Sequence, residues 1–417
     1  MKLRQPLAKS AEKLFEISET IPVIDTHEHI LVSEKDYNKQ TLKFGNLFNP
    51  YVSTDLFSAG MPFPREKAPV YYCIGDDWDE FEPYWNAVKF GSYARPVRIA
   101  LQEFLGVDDF TRENYLEIVK KINENNSPGI YERVFKDKCH IEKCILCMND
   151  LPDRNDPILL GNIHSPAMQV GDPAQLKRMA KEVEVKEVKS LDELVEVSDR
   201  WMELQVERGA IEFKARALPV QVPDKRRAEE GLKLILKEQH ISEDMICMIY
   251  QLMAYIREAN ARKATELNVP IALHTGVWND YRTLSVNDLI GFIKRNPDTK
   301  MDIYHLGIPE VRNAIQIVKN FPNAYLNLCW AHVVASDMVV GTLKEAIDMV
   351  PINKIFAFGA DYIMFIEKVY GHLLMARENI SIVLGDRVDR NLIDMSEAEA
   401  ILRAWFYENP KKFYQIS

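Results

Sequence analysis

Nothing in this chain of 417 residues reads as a long hydrophobic run. The segment Met1–Thr20 carries Lys2, Arg4, Lys9, Glu12, Lys13, Glu16 and Glu19 without an unbroken apolar stretch, so a secretory leader is not expected. The most apolar helical window, Met245–Ile256, is too short and too close to charges to cross a bilayer. Basic excess is absent as well. A formal net charge of -10 argues against a polyanion-binding surface, hence against nucleic acid as partner. A soluble, cytoplasmic protein is the expectation. Cysteine is sparse and scattered: Cys73, Cys139, Cys144, Cys147, Cys247 and Cys329. Cys144 and Cys147 form the one Cys-x-x-Cys pair, with no second pair to complete a four-ligand site, and on an extended backbone they face opposite sides. They read as buried thiols of a reduced protein. No Gly-x-Gly-x-x-Gly follows the first expected strand, which removes the dinucleotide-binding signature. There is no low-complexity tract, no Pro/Gly/Ser linker and no short repeat.

What is present points to a large enzyme-sized core. Hydrophobic residues make up 47% and charged residues 27%, an ordinary globular balance. The length exceeds the about 250 residues of a bare eight-fold barrel, so the chain is one barrel with a long insertion or two domains. The C-terminal two-thirds alternates short β-branched runs with longer amphipathic ones, which reads as repeated βα units. Strands are expected at 21–26, 142–148, 165–170, 210–215, 269–274, 301–305, 323–328 and 354–359. Eight of them suit a closed (β/α)8 TIM barrel. Helices are expected over Ser242–Leu267, where Met245, Met248, Ile249, Leu252, Ile256 and Ala259 share a face, after the cap at Ser285, and from Glu310 behind Pro309. The single barrel domain then spans 1–417. Residues 31–141 break its rhythm as a mostly helical insertion after the first strand, read as a lid or pocket wall over the C-terminal face or as a helical pack that stabilises the rim.

Six residues able to serve a metal site close apolar runs. His27 and His29 end Pro22–His29, Lys214 ends Ala210–Lys214, His274 ends Val269–His274, His305 ends Met301–His305, and Asp361 ends Ile355–Asp361. Strand C-termini of a parallel barrel share one face, so such residues gather there. His27 and His29, two apart on an extended backbone, project to the same side and suit one divalent ion. A lysine ammonium is not a ligand. Lys214 serves a metal only if neutralised or carbamylated to a bridging carboxylate, and otherwise pairs with a substrate or rim acid. Arg282, Arg216 and Trp330 sit near strand ends as candidate substrate contacts, with Tyr93 and Arg95 of the insertion behind them. Rim packing or a salt bridge is the competing role for each.

In this order the residues resemble the amidohydrolase superfamily: His-x-His on strand 1, lysine on strand 4, histidines on strands 5 and 6, aspartate on strand 8. His274-Thr275-Gly276, His305-Leu306-Gly307-Ile308-Pro309, Phe321–Asn327 and Phe358-Gly359-Ala360-Asp361-Tyr362 extend the likeness. It is nearest to the amidohydrolase-2 branch, similar to uronate isomerase and to amidohydrolase domains fused to glutamine synthetase. The resemblance implies a TIM barrel holding one or two divalent ions, zinc first, with manganese, iron and nickel open. It implies metal ligands His27, His29, Lys214, His274, His305 and Asp361, with Asp361 and His305 also catalytic. The expected activity is hydrolysis of an amide, ester or lactone in a small, carboxylate-bearing substrate by a metal-activated water. The alternative is a uronate isomerase-like sugar-acid isomerase or a decarboxylase on the same barrel. A catalytically silent scaffold is the rival from another class. Association into a homo-oligomer is left open.

Overall fold

The computed structural model describes residues 6–63, 74–238, 241–276 and 280–417. Lys2, Arg4 and Cys73 of the sequence reading lie outside them. Eight strands form one sheet in the order β1 to β8: β1 Val23–Glu28, β2 Ile141–Met148, β3 Leu159–His164, β4 Ala210–Arg216, β5 Ile271–His274, β6 Met301–Ile303, β7 Ala324–Asn327 and β8 Ile355–Phe356. The pairings from β3 to β8 are all parallel, and the strands make a nearly closed TIM barrel. The barrel expected from the βα rhythm is the fold observed.

One strand was expected in the wrong place. Residues 165–170 form a single helical turn, Pro166–Gln169, because Pro166 supplies a preset helical φ and no N–H at the first position of that turn. The strand is the run before it, Leu159–His164. The long helix is Ile246–Glu266, led in by a short 3-10 turn, and the helix behind Pro309 is Val311–Asn320. The Ser285 hydroxyl accepts from Asn287 N at the start of the next turn, as its capping pattern implies. Cys139, Cys144 and Cys147 are buried thiols. No helix among the described residues is long and apolar enough to cross a membrane.

Packing divides the chain into two compact units. The first comprises Met1–Cys144, Leu328–Glu345 and Ala357–Glu408. It holds β1 and the helices of the 31–141 segment, Tyr51–Ser58, Trp78–Val88, Ala94–Leu105 and Tyr115–Asn125 among them. These close over an aromatic core of Phe44, Phe48, Phe81, Trp85 and Phe110. Gly385 lets the helix Lys9–Thr20 press onto the helix Lys368–Asp389, since a Cβ there would stand 2.6 Å from the backbone nitrogen of Ala11.

The second unit comprises Ile145–Asn327, Ala346–Phe356 and Asn409–Ser417. Its sheet interior is polar. Glu212 accepts from Asn162 Nδ2 at 2.5 Å and from the Tyr304 hydroxyl at 2.8 Å. Asp302 accepts from Asn327 Nδ2 at 2.8 Å and from the Tyr414 hydroxyl. Burial pushes the Asp302 carboxyl up to about 7, and burial with the neighbouring Asp302 charge holds Glu212 well above the usual carboxylate range.

Candidate metal centre

In the first unit, β1 ends in the run Asp25-Thr26-His27-Glu28-His29, and the segment after β8 returns alongside it. Asp361 N donates to His27 O at 2.9 Å and His29 N to Tyr362 O at 3.0 Å. Gly359 is required by this approach: a Cβ there would lie 2.6 Å from Cys329 Cβ and 2.8 Å from Thr26 Oγ1. His27, His29 and Asp361 consequently converge, with one ligand atom from each inside a 4.8 Å cluster. Asp361 Oδ1 is 3.4 Å from His27 Nε2 and 3.5 Å from His29 Nε2.

Those distances exceed the about 2.7–2.9 Å of a charge-assisted hydrogen bond. Two donors each about 2.1 Å from one tetrahedral ion stand roughly 3.4 Å apart. Nitrogen and carboxylate donors at this spacing therefore fit a divalent cation. His27 and Asp361 are buried, while His29 keeps 24% of its side chain exposed and marks the open side.

Asp361 is held in a conformation it would not choose. Its φ is +62°, in the left-handed region costly for a non-glycine residue. The neighbouring peptides are pinned on every side. Asp25 Oδ1 accepts from His27 N at 3.1 Å and from Ala360 N at 3.2 Å, and Glu28 Oε2 accepts from Tyr362 N at 2.6 Å. The Tyr51 hydroxyl donates to Asp361 O at 2.5 Å, and His372 Nδ1 donates to Ala360 O at 3.3 Å. Such over-determination is what allows the strain to persist. Burial raises the Asp25 carboxyl to about 7, and burial with the Asp25 charge raises Glu28 further from its ordinary range.

An aromatic wall stands beside these groups in the same unit. Trp330, 2% exposed and also at positive φ, stacks on Tyr51 with ring centroids 4.8 Å apart and on Tyr93 at 6.0 Å with the planes 6° apart. Trp330 thus takes a packed position against the insertion. Tyr51 was not singled out by the sequence. It belongs to the helix Tyr51–Ser58, and only a long-range contact identifies it.

The second unit carries the other candidates. Lys214 is buried, 5.7 Å from the Tyr304 ring and paired in register with His164 at the end of β3. His164 was missed because its strand was misplaced. It is kept neutral by burial and by the Lys214 charge, with its pKa lowered to about 4. His305, at φ +63°, places Nε2 2.9 Å from His274 Nδ1. Arg216 ends β4 level with His274. Arg282 is exposed, and its guanidinium makes two 2.7 Å hydrogen bonds to Asp280, so it already has an anionic partner.

Comparison with known proteins follows the same line. Residues 250–416 match the family model described as amidohydrolase. No curated protein sequence matches the chain. Among solved structures, a uronate isomerase from Thermotoga maritima superposes with a TM-score of 0.77 at 16% identity, covering 97% of each chain. A glucuronate isomerase from Caulobacter crescentus gives 0.76 at 17% identity, covering 100% of this chain and 96% of that one. A proposed metal-dependent hydrolase from Lactobacillus casei gives 0.68 at 15% identity, covering 96% and 97%. The likeness to the amidohydrolase superfamily expected from the strand-end residues is thus found, in the family model and in the barrel.

Proposed function

We propose that the protein is a metal-dependent isomerase of a small sugar acid, working with one divalent cation. The observation that carries this reading is the His27–His29–Asp361 cluster, a three-ligand set that needs no contribution from Lys214. The uronate and glucuronate isomerases, matched over nearly their whole length, support it further. Zinc suits the donors, and manganese, iron or nickel suit them as well.

A divalent cation at this position supplies Lewis acidity toward a carbonyl and the hydroxyl on the adjacent carbon. Asp361, fixed by Tyr51 and by its backbone partners, is the group to move a proton there. In aldose–ketose exchange a proton leaves C2 and one is added at C1 while the O2 proton shifts to O1, so no water is consumed. The Tyr51–Trp330–Tyr93 stack, with its apolar faces, is suited to keeping bulk water from such a reaction. In the second unit His274 and His305, 2.9 Å apart, form a pair able to pass a proton. Lys214 is assigned to substrate contact ahead of a carbamylated bridge. The 31–141 segment serves as pocket wall.

A second reading, hydrolysis of an amide, ester or lactone, is favoured by the family description and by the Lactobacillus casei structure. Incubating protein purified without chelator with D-glucuronate and D-galacturonate, and separately with N-acyl amino acids, dipeptides and lactones, separates the two. The expected result is a ketose of unchanged mass, lost with chelator and restored by a divalent cation. Addition of water to an acyl substrate, with the sugar acids untouched, would replace this reading by the second.

A further inference from the structure

Arg216, in the second unit, is a partly sheltered cation with no carboxylate partner among the described residues. It follows Lys214 by two residues on β4, so the period of the strand puts both side chains on one face. The β4–β5 register sets it opposite His274, whose carbonyl accepts from Ala217 N at 2.9 Å. The guanidinium is partly exposed and makes two long contacts, Nε to Ala217 O at 3.4 Å and Nη2 to Thr283 Oγ1 at 3.5 Å. No carboxylate oxygen among the described residues lies within salt-bridge distance of it. Other arginines of this unit differ: Arg282 holds Asp280, Arg295 holds Glu258, and Arg178 holds Asp150 and Glu182.

A second guanidinium stands behind the first. Arg257 is 1% exposed, lies 4.3 Å from the Phe292 ring centroid, and donates Nη1 to the Arg216 carbonyl at 2.8 Å. Its buried Nε has no hydrogen-bond partner among the described residues. The charge of Arg257 is offset by Glu258 and Asp288, so its part is to fix the Arg216 backbone, and the Arg216 guanidinium is left to meet an anion. A planar five-donor fork that is open on one side is suited to two oxygens of one oxyanion.

We propose that Arg216, with Thr283 beside it and Arg257 behind it, forms an oxyanion subsite for the carboxylate or phosphate of a sugar-sized ligand. This rests on the reading of the strand exits as a sugar-acid site, and it names the residue that reads the acid. The subsite makes the negative group a condition of tight binding and leaves the neutral sugar a weak ligand.

The test is binding by calorimetry to the full-length, metal-stripped protein, so that it does not depend on turnover. The ligands are D-glucuronate, D-glucose 6-phosphate and D-glucose, against wild type, Arg216→Gln and Arg216→Lys. One or both acids should bind wild type at least about tenfold more tightly than glucose, and Arg216→Gln should remove that preference. The acid that keeps the preference tells carboxylate from phosphate. Arg216→Lys should recover part of it, because charge remains and the fork is lost. Equal binding of acids and glucose by wild type, or acid binding unchanged in Arg216→Gln, overturns the subsite, whether or not sugar acids are isomerised. Should Arg216→Gln not fold, salt titration of wild type decides: the preference for the acid must fall as ionic strength rises.

Discussion

The two units assemble their candidate residues in opposite ways. In the first, two imidazole nitrogens face one carboxylate oxygen at 3.4 and 3.5 Å, a spacing too long for good hydrogen bonds and suited to a shared cation. In the second, His274 and His305 meet at 2.9 Å, where one ring donates and the other accepts, and the third member is Lys214. The first set leaves a spacing that a cation would fill. The second set is already hydrogen-bonded internally. This contrast is the ground for proposing one ion at His27, His29 and Asp361.

The sharpest way to break the comparison is Asp361→Asn. Turnover should fall by about 10²–10⁴-fold, with metal largely retained by the two histidines, as read by kcat and metal analysis. Unchanged activity would remove Asp361 from the chemistry. Lys214→Met tests the other side. Wild type and variant should both hold roughly one equivalent of metal per chain, whereas a drop from two to one would restore a bridging lysine.

A subtler contrast concerns protons. Asp302 titrates at about 7 in the folded protein, above its ordinary 3.8, because it is buried. The folded state therefore keeps a proton that the unfolded chain releases between about pH 4 and 7. Its contribution to stability is full below about pH 4 and is lost as pH rises toward 7. Asp302→Asn cannot titrate, so denaturation midpoints of the metal-free variant should depend less on pH over that window. An identical slope in both proteins would place the effect elsewhere. The smallest expected change is Arg282→Gln. An exposed residue held by Asp280 should alter stability by less than about 0.5 kcal/mol and leave KM for a sugar acid within about twofold. A large rise in KM would return the carboxylate contact to Arg282 and away from Arg216.

Much of the frame was legible because local signals were strong. Alternating β-branched runs located β1, β2, β4, β5 and β7 to within a few residues, and the histidines and Asp361 stood out as polar groups closing them. β3 was not legible in its true place. Leu159–His164 contains Gly161 and Asn162, which weaken a strand signal, yet Asn162 is there to hydrogen-bond the buried Glu212. Tyr51 carried no local mark, since a phenol in an aromatic-rich segment reads as packing. Asp25 and Glu28 were visible only as neighbours of His27. Their hold on Ala360 and Tyr362 spans more than three hundred positions of chain.

Chain order alone determined that this is a βα-repeat barrel with polar residues at its strand ends, because hydrophobic period and residue type are local properties. Which of those residues meet was decided by tertiary structure. The left-handed turn at Asp361, the close approach permitted by Gly359 and the hydrogen bonds of Asp25, Glu28, Tyr51 and His372 set that carboxylate against His27 and His29. Well under an ångström separates hydrogen-bond spacing from the spacing that suits a shared cation, and only packed backbone holds side chains to that tolerance.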